Sequence, residues 1–190
     1  MISPNTRYFI TARFSPVVEW LLPHETVFAP GHYGDYNFAV PECVPGDRGG
    51  LTKFGIDQRS HPSVNIRELT FDQAVMIYLH DYWLPCRAEE FPPGYGEVIF
   101  DIRVNGGNGP RLLQEAMASV GCYIGAADGI IGPKTKAAMA QAGTGGLKEF
   151  LLKRRERYIN LAENDPSDAQ FLDGWLNRNH DLAKFVGITL

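Results

Sequence analysis

The chain has 190 residues, of which 44% are hydrophobic and 12% aromatic, so it can bury the core of one domain or two small ones and is not a disordered chain. Its net charge of -4 excludes nucleic-acid binding through a broadly basic surface. Three cysteines at unrelated spacings, Cys43, Cys86 and Cys122, provide neither a disulfide framework nor a zinc site, so buried free thiols are expected.

The first predicted helix begins at residues 15–16, because a serine followed by a proline is typical of a helix N-terminus. Pro23 disfavours helical geometry at the residue before it, so the helix should end or kink there. Glu25 then lies just beyond the helix end. Residues 26–66 are rich in glycine, proline and aromatic residues and have no helical period, which predicts a loop with a small β-hairpin.

The rest of the chain is predicted to be helical. A capping box, Thr70 with Gln73, should begin a helix that Pro85 ends. A short apolar segment follows at 98–104. Further helices are expected from Pro110 to Gly121, from Pro133 onward, over 147–163 and over 167–184. The expected class is therefore mainly α, with about seven helices and a small β element. No apolar run approaches the roughly 20 residues that a membrane helix needs.

Glu25 is the first residue that could carry chemistry. Cleavage of a glycosidic bond needs a carboxyl group that is still protonated at working pH, so that it can protonate the leaving oxygen. The negative end of the preceding helix and shielding by Trp20, Val27 and Phe28 would both favour the protonated form. A glutamate after a helix end is more often a solvated surface residue, so these neighbours alone do not establish a role.

The second candidate is a glycine-rich segment, residues 46–56, with the sequence Gly-Asp-Arg-Gly-Gly-Leu-Thr-Lys-Phe-Gly-Ile. Its glycines suggest a tight turn that holds polar side chains toward one side. Asp47 could orient or activate a water molecule opposite a sugar, and Thr52 could position that water or the substrate. A hairpin whose aspartate satisfies its own turn explains the segment equally well.

Glu25 followed by this segment resembles glycoside hydrolase family 108, a group of bacterial and phage N-acetylmuramidases similar in fold to lysozyme. The resemblance continues over 74–83, where an alanine, an Ile-Tyr pair and a Tyr-Trp pair recur. Other short motifs follow in the family's order over residues 14–180, the later ones resembling its C-terminal peptidoglycan-binding region. They are Phe100-Asp101, Val104-Asn105-Gly106, Leu113-Gln114, Asp128-Gly129, Ile131-Gly132-Pro133, Thr135, Phe171, Gly174-Trp175 and Arg178.

The resemblance implies a lysozyme-like α+β fold and a muramidase that cleaves the β-1,4 bond between N-acetylmuramic acid and N-acetylglucosamine. Glu25 stands where the family has its catalytic glutamate, and Asp47 and Thr52 stand where it has its aspartate and threonine. Substrate contacts are expected within the matching motifs at Phe54, Tyr82, Asp101 and Asn105.

Two features depart from the family pattern. Thr26 and Val27 follow the glutamate where the family has two glycines, and the stretch between Glu25 and Asp47 is longer. That stretch contains Asp35, which competes with Asp47 for the role of second acid.

The expected organisation is a lysozyme-like catalytic region over 1–104 and a helical peptidoglycan-binding region over 105–190. The two should pack as one compact unit, because roughly 90 residues are few for an independent core. Neither a cofactor nor a metal is expected. The chain is expected to be a monomer whose partner is the peptidoglycan glycan strand, with no nucleic-acid binding and no membrane insertion.

The N-terminal residues do not resemble a secretory signal. Cytoplasmic synthesis is therefore expected, followed by action in the periplasm or cell wall after delivery by a holin, cell lysis or an injection machine. A phage endolysin or prophage protein is preferred over an injected effector, which would have an immunity protein as partner. Two other functions stay open: a lytic transglycosylase on the same substrate, and a non-catalytic wall-binding or phage structural module.

Overall fold

A computed structural model describes residues 2–43 and 50–190 of the chain. The chain divides into two compact units, Met1–Leu84 and Pro85–Leu190. The described residues are mainly helical with one small antiparallel hairpin, which confirms the predicted class. The predicted boundary between 104 and 105 coincides with the end of a helix in the second unit and stays a prediction.

The first unit begins with two helices, α1 (Pro4–Arg7) and α2 (Phe14–Leu21). Helix α2 starts one residue before the predicted serine, and its first N–H, that of Phe14, donates to the hydroxyl of Thr11 at 3.0 Å. It ends at Leu21 and continues as a 3₁₀ turn, Leu22–His24, in which Pro23 is accommodated near the N-terminus. The prediction that the helix ends or kinks at this proline is confirmed.

The hairpin consists of β1 (Thr52–Lys53) and β2 (Ile56–Asp57), with Thr52 opposite Asp57. Phe54 and Gly55 join the strands, and both have positive φ, 56° and 73°. Two-residue turns with positive φ at both positions match the natural twist of a hairpin. Isolated bridges add Phe28 opposite Ala39 and Glu42 opposite Thr52, and 3₁₀ turns lie at Tyr36–Phe38 and Ile66–Glu68.

Helix α3 (Phe71–Ile77) begins with the predicted capping box. The Thr70 hydroxyl accepts the Gln73 N–H, and the Gln73 side chain accepts the Thr70 N–H at 2.9 Å. The helix then widens into a π-helical segment, Tyr78–Trp83, that the sequence did not predict. It closes with α4 (Leu84–Cys86), a last turn that contains the proline expected to end it.

The second unit is built from α5 (Tyr95–Val104), α6 (Gly109–Ser119), α7 (Pro133–Asn164) and α8 (Leu172–Phe185), with 3₁₀ turns at Ala88–Glu90 and Ala169–Phe171. Its core lies where α6 and α8 pack on α7 and where α5 meets both α6 and α7. Apolar side chains buried there include Phe100, Leu113, Met117, Met139, Phe150, Leu151 and Leu182.

Helix α7 joins two segments that were predicted as separate helices. Gly143 interrupts it with non-helical backbone angles, φ 52° and ψ -140°. The Tyr95 hydroxyl donates to the Gly143 carbonyl at 2.8 Å and so occupies a carbonyl that the kink releases. Cys43, Cys86 and Cys122 are free thiols as expected, but none of them is buried: Cys43 is exposed, and Cys86 and Cys122 are partly exposed. Within the described ranges, no helix combines the length and apolarity needed to cross a bilayer.

Candidate active site

Glu25 directly follows the 3₁₀ turn that ends α2. Its N–H donates to the Leu22 carbonyl at 3.1 Å, and the hydroxyl of Thr26 donates to the same carbonyl at 2.6 Å. The backbone that carries Glu25 is therefore fixed to the helix end by two hydrogen bonds. The residue is partly exposed, while its Oε1 atom is shielded from solvent.

The Phe54–Gly55 turn of the hairpin packs against Glu25. A Cβ atom at Gly55 would lie 2.8 Å from Oε2 of Glu25 and 2.6 Å from the Tyr78 hydroxyl oxygen, closer than real Cβ contacts allow. Tyr78 in turn donates its hydroxyl hydrogen to the Phe54 carbonyl at 2.8 Å. Only glycine satisfies both the positive φ and the close approach at this position.

A cavity of about 580 Å³ opens beside this turn, and polar side chains dominate its wall. Glu25 and Thr52, which the sequence assigned to one site, both line it. Asp47 lies outside the described residues. The lining residues are His24, Glu25, Thr26, Val27, Glu42, Thr52, Gly55, Asp57, Arg59 and Ser60.

Asp57 is an acidic residue of this cavity that the sequence analysis missed. Its partial burial favours a higher pKa, but hydrogen bonds from Ser60 and from the Arg59 backbone outweigh that effect and hold the pKa below its usual value of 3.8. The Ser60 N–H donates to Oδ1 at 2.8 Å. Asp57 therefore carries a negative charge in the cavity wall at neutral pH.

Asp35, the competitor for the second acidic role, is exposed and occupied by its own turn. Its Oδ1 accepts the backbone N–H of Asn37 at 3.1 Å and the Asn37 side-chain amide at 2.9 Å. It caps the 3₁₀ turn Tyr36–Phe38 and is not among the residues that line the Glu25 cavity. Thr52 thus lines the same cavity as Glu25, whereas Asp35 lies elsewhere in the first unit.

Phe54 and Tyr82, the two residues of the first unit that were expected to contact substrate, do not line this cavity. Phe54 is 1% exposed, and its ring lies 6.2 Å from that of Tyr36 and 6.4 Å from that of Phe71. A buried ring offers no surface to a sugar, so Phe54 is a core residue of the turn. Tyr82 is half-buried, with its ring 5.4 Å from that of Tyr78, and it does not line the cavity.

Asp101, expected to contact substrate, is completely buried in the second unit. Arg178 donates to its Oδ1 from Nη2 at 2.7 Å, and Arg154 donates to its Oδ2. Burial favours a higher pKa, but the two guanidinium charges outweigh it and hold the pKa of Asp101 below 3.8. The carboxylate joins α5, α7 and α8, which leaves no oxygen surface for a sugar.

Asn105, the last of the expected contacts, is exposed. Its side-chain amide donates to the Asp101 carbonyl at 2.8 Å. It lines a smaller cavity within the second unit and is not part of the wall around Glu25.

The side chain of Gln114 connects residues of several of the later motifs. Its buried side chain donates to Asp128 Oδ1 at 2.8 Å and to the Ile130 carbonyl at 3.0 Å, and it accepts the Gly129 N–H at 2.8 Å. Its amide also lies 3.3 Å from the Thr135 hydroxyl. These residues form a hydrogen-bonded connection between α6 and the segment before α7.

The most informative residues that the sequence analysis missed are Tyr78 and Asp57. The Phe-Gly pair between two short β segments was a usable signal for the turn. Nothing local marks Tyr78, because its hydroxyl reaches a carbonyl 24 positions away.

The fold as a whole has counterparts among solved structures. The structure of SagA from Brucella abortus matches with a TM-score of 0.67 and 19% sequence identity, covering 92% of this chain and 94% of that one. At this identity the match shows the fold, which is lysozyme-like α+β with a small two-stranded sheet. A search of curated proteins found no match.

The family models divide the chain in agreement with the motifs. Residues 42–107 match the model of glycosyl hydrolase 108, and residues 98–180 match a model described as a predicted peptidoglycan domain. The resemblance to glycoside hydrolase family 108 is thereby confirmed. Together the matches support a glycoside hydrolase that acts on peptidoglycan, with Glu25 lying before both matched ranges.

Proposed function

We propose that this protein is an N-acetylmuramidase that hydrolyses the β-1,4 bond between N-acetylmuramic acid and N-acetylglucosamine, with Glu25 as the general acid. The observation that carries the proposal is the carboxyl of Glu25 held beside a polar cavity and against the Gly55 backbone. The matches to glycosyl hydrolase 108 and to the peptidoglycan domain support the substrate.

Glu25 would protonate the glycosidic oxygen as the bond to the leaving sugar breaks. The position of its carboxyl supports this role, because one oxygen is shielded from water while the residue remains partly exposed to the cavity. Its rigid attachment to the end of α2 fixes the direction from which the proton arrives. General acid catalysis of this kind contributes on the order of 10²–10⁴-fold in rate.

A second carboxylate would stabilise the positive charge that develops on the sugar or direct the attacking water. The family resemblance assigns this role to Asp47. Asp57 provides a further negative charge, because its hydrogen bonds keep it ionised in the same cavity as Glu25. Thr52, whose backbone is paired in both directions with Glu42, would position the water or the substrate.

The general acid is tested by Glu25→Gln. We expect its release of reducing ends from purified peptidoglycan to fall by about 10²–10⁴-fold, because the amide cannot donate the required proton. Glu19→Gln is the matched control: Glu19 lies on α2, pairs with Arg7 at 3.3 Å and does not line the cavity. Near-normal activity of Glu25→Gln, with an unchanged melting temperature, would contradict the assignment.

The second acid is tested by comparing Asp47→Asn, Asp57→Asn and Asp35→Asn in the same assay. We expect losses of at least tenfold for Asp47→Asn and Asp57→Asn, because each removes negative charge near the reacting sugar. Asp35→Asn should retain activity within about twofold. A large loss in Asp35→Asn alone, with a normal circular dichroism spectrum, would transfer the role to Asp35.

The products decide the reaction type. Hydrolysis adds one water at each cleaved bond and leaves N-acetylmuramic acid with a free reducing end. Mass spectrometry of the soluble fragments is expected to show this addition. Fragments that lack the water, with an anhydro sugar at the end, would make the chain a lytic transglycosylase instead.

A further inference from the structure

The second unit contains a small cavity that the proposed reaction does not use. Its volume is about 210 Å³, below the roughly 300 Å³ at the lower end of pockets that hold drug-sized ligands. Its occupant is therefore a single group rather than a sugar chain. The lining residues are Ile102, Asn105, Gly106, Gly107, Asn108, Leu112, Arg154, Arg157, Tyr158, Leu161 and Trp175.

Arg154 is a buried residue of this wall. The residue is 1% exposed, its Nη2 donates to Asp101, and its Nε donates to the Tyr158 hydroxyl at 2.9 Å. Its Nη1 is equally buried and has no hydrogen-bond partner among the residues that the structure describes. A buried guanidinium N–H without an acceptor is costly, and an acceptor supplied by a ligand would remove that cost.

The charges around the cavity favour an anion. Two cations, Arg154 and Arg178, pair with the buried Asp101 behind the wall. Arg157 adds a positive charge at the exposed part of the wall. No aspartate or glutamate belongs to the cavity wall formed by the described residues.

The rest of the cavity wall is aromatic and aliphatic, so it can pack against the carbon atoms to which an anionic group is attached. Tyr158 and Trp175 are stacked with ring centroids 5.3 Å apart, and Ile102, Leu112 and Leu161 complete an apolar surface. A carboxylate attached to a short aliphatic or peptide chain combines both properties. A bare inorganic anion would use only the arginine side of this cavity.

We propose that this cavity binds a free carboxylate of the peptide attached to the glycan strand, with Arg154 Nη1 as the buried donor and Arg157 at the entrance. The proposal rests on peptidoglycan being the substrate and adds a peptide contact to it. The contact anchors the strand through its peptide, whereas Glu25 acts on the sugar backbone.

The binding test uses the full-length wild-type chain and a peptide-bearing disaccharide, N-acetylglucosaminyl-N-acetylmuramic acid. This probe lacks the bond that the proposed muramidase cleaves, so it is not consumed. Binding is measured by calorimetry and by the fluorescence of Trp175, with Trp175→Phe identifying that signal. Converting the peptide carboxylates to amides should weaken binding at least tenfold, because the charge-assisted hydrogen bonds are lost.

Arg157→Gln and Arg155→Gln form a matched pair on α7. Arg157 lines the cavity, while Arg155 is exposed on the same helix and is not part of the wall. At 0.15 M salt, which screens remote charges, we expect about fivefold weaker binding for Arg157→Gln and less than twofold for Arg155→Gln. Both positions are exposed, so the variants should fold, which circular dichroism checks.

Equal binding of the free and amidated probes, no binding of either, or equal effects of the two arginine variants would each overturn the proposal. These outcomes are independent of the Glu25 assay. A chain in which Glu25→Gln remains active can still bind the acidic probe, and a muramidase that cleaves peptide-free glycan can still fail to bind it.

Discussion

The two units use acidic side chains in opposite ways. Glu25 in the first unit follows a short turn, is partly exposed and lies beside a polar cavity. Asp101 in the second unit lies on a ten-residue helix, is fully buried and is held by two arginines. A carboxyl that exchanges a proton with substrate must be reachable, whereas a buried carboxylate is tolerated only with its charge compensated. The sequence placed both residues in motifs that resemble those of the family, so such a resemblance alone does not distinguish the two environments.

Asp101→Asn should have the largest effect of these variants, because it tests the buried carboxylate of the second unit. It leaves Arg154 and Arg178 without their anion, and removing one partner of a buried ion pair costs about 3–5 kcal/mol. We expect the free energy of unfolding, measured in urea through Trp175 fluorescence and circular dichroism, to fall by about that amount. Asp181→Asn, which removes a 3.7 Å surface pair with Lys184, should cost less than about 1 kcal/mol.

Asp101 should also make the stability of the second unit depend on pH, with a loss of stability in acid. Its pKa in the folded state is below 3.8, so its contribution to stability is present above the unfolded pKa and is lost as the pH falls through the folded value. Unfolding followed through Trp175 should therefore become easier below about pH 4. If Asp101→Asn showed the same acid dependence as wild type, another group would be responsible.

Gly55→Ala tests the other side of the comparison, the partly exposed carboxyl of Glu25 in the first unit. Its Cβ would meet both Glu25 and Tyr78, so the Glu25 carboxyl must shift, and small misplacements of reacting groups cost up to about 10²-fold in rate. We expect activity to fall by roughly tenfold to hundredfold. Gly34→Ala is the control, because Gly34 has φ +85° and open space around its Cα. If both variants lost activity equally, backbone strain rather than crowding of Glu25 would be the cause.

Gln114→Leu should have the smallest of these effects. It removes the donors to Asp128 and Ile130 and the acceptor for Gly129, and an unsatisfied buried polar group costs about 1–3 kcal/mol. Urea unfolding should show a loss at the lower end of that range, because the segment before α7 is partly exposed and water can replace some bonds. Gln170→Leu, at an exposed position, should be nearly neutral, and a loss of equal size there would remove the special role of Gln114.

The sequence predicted those parts of the fold that depend on neighbouring residues. The Thr70 capping box, the helix starts at Pro133 and near Pro110, and the helix end around Pro23 all follow from local backbone geometry. It also assigned Glu25 and Thr52 to one site through the family resemblance. Contacts between distant residues were not predictable in this way.

Three such contacts changed the interpretation of the fold or of the expected site residues. Tyr78 fixes the Phe54 carbonyl, Arg154 neutralises Asp101 from 53 positions away, and the Tyr95 hydroxyl bonds the carbonyl of the kink at Gly143. None of these residues has a local pattern that reveals its partner. The same reasoning applies to Phe54, whose burial depends on Tyr36 and Phe71.

The π-helical segment Tyr78–Trp83 has a consequence for the phase of the helix that contains it. In an α-helix, residues five apart point to clearly different sides, whereas a π turn, with its i→i+5 bonding, brings them close to alignment. Tyr78 and Trp83 are both buried, one bonded to the Phe54 carbonyl and the other packed 5.5 Å from the Phe14 ring. The wide turn thus accommodates one extra residue, and a single-residue deletion within it would restore an α-helical turn in which the two rings, then four positions apart, still share one side of the helix.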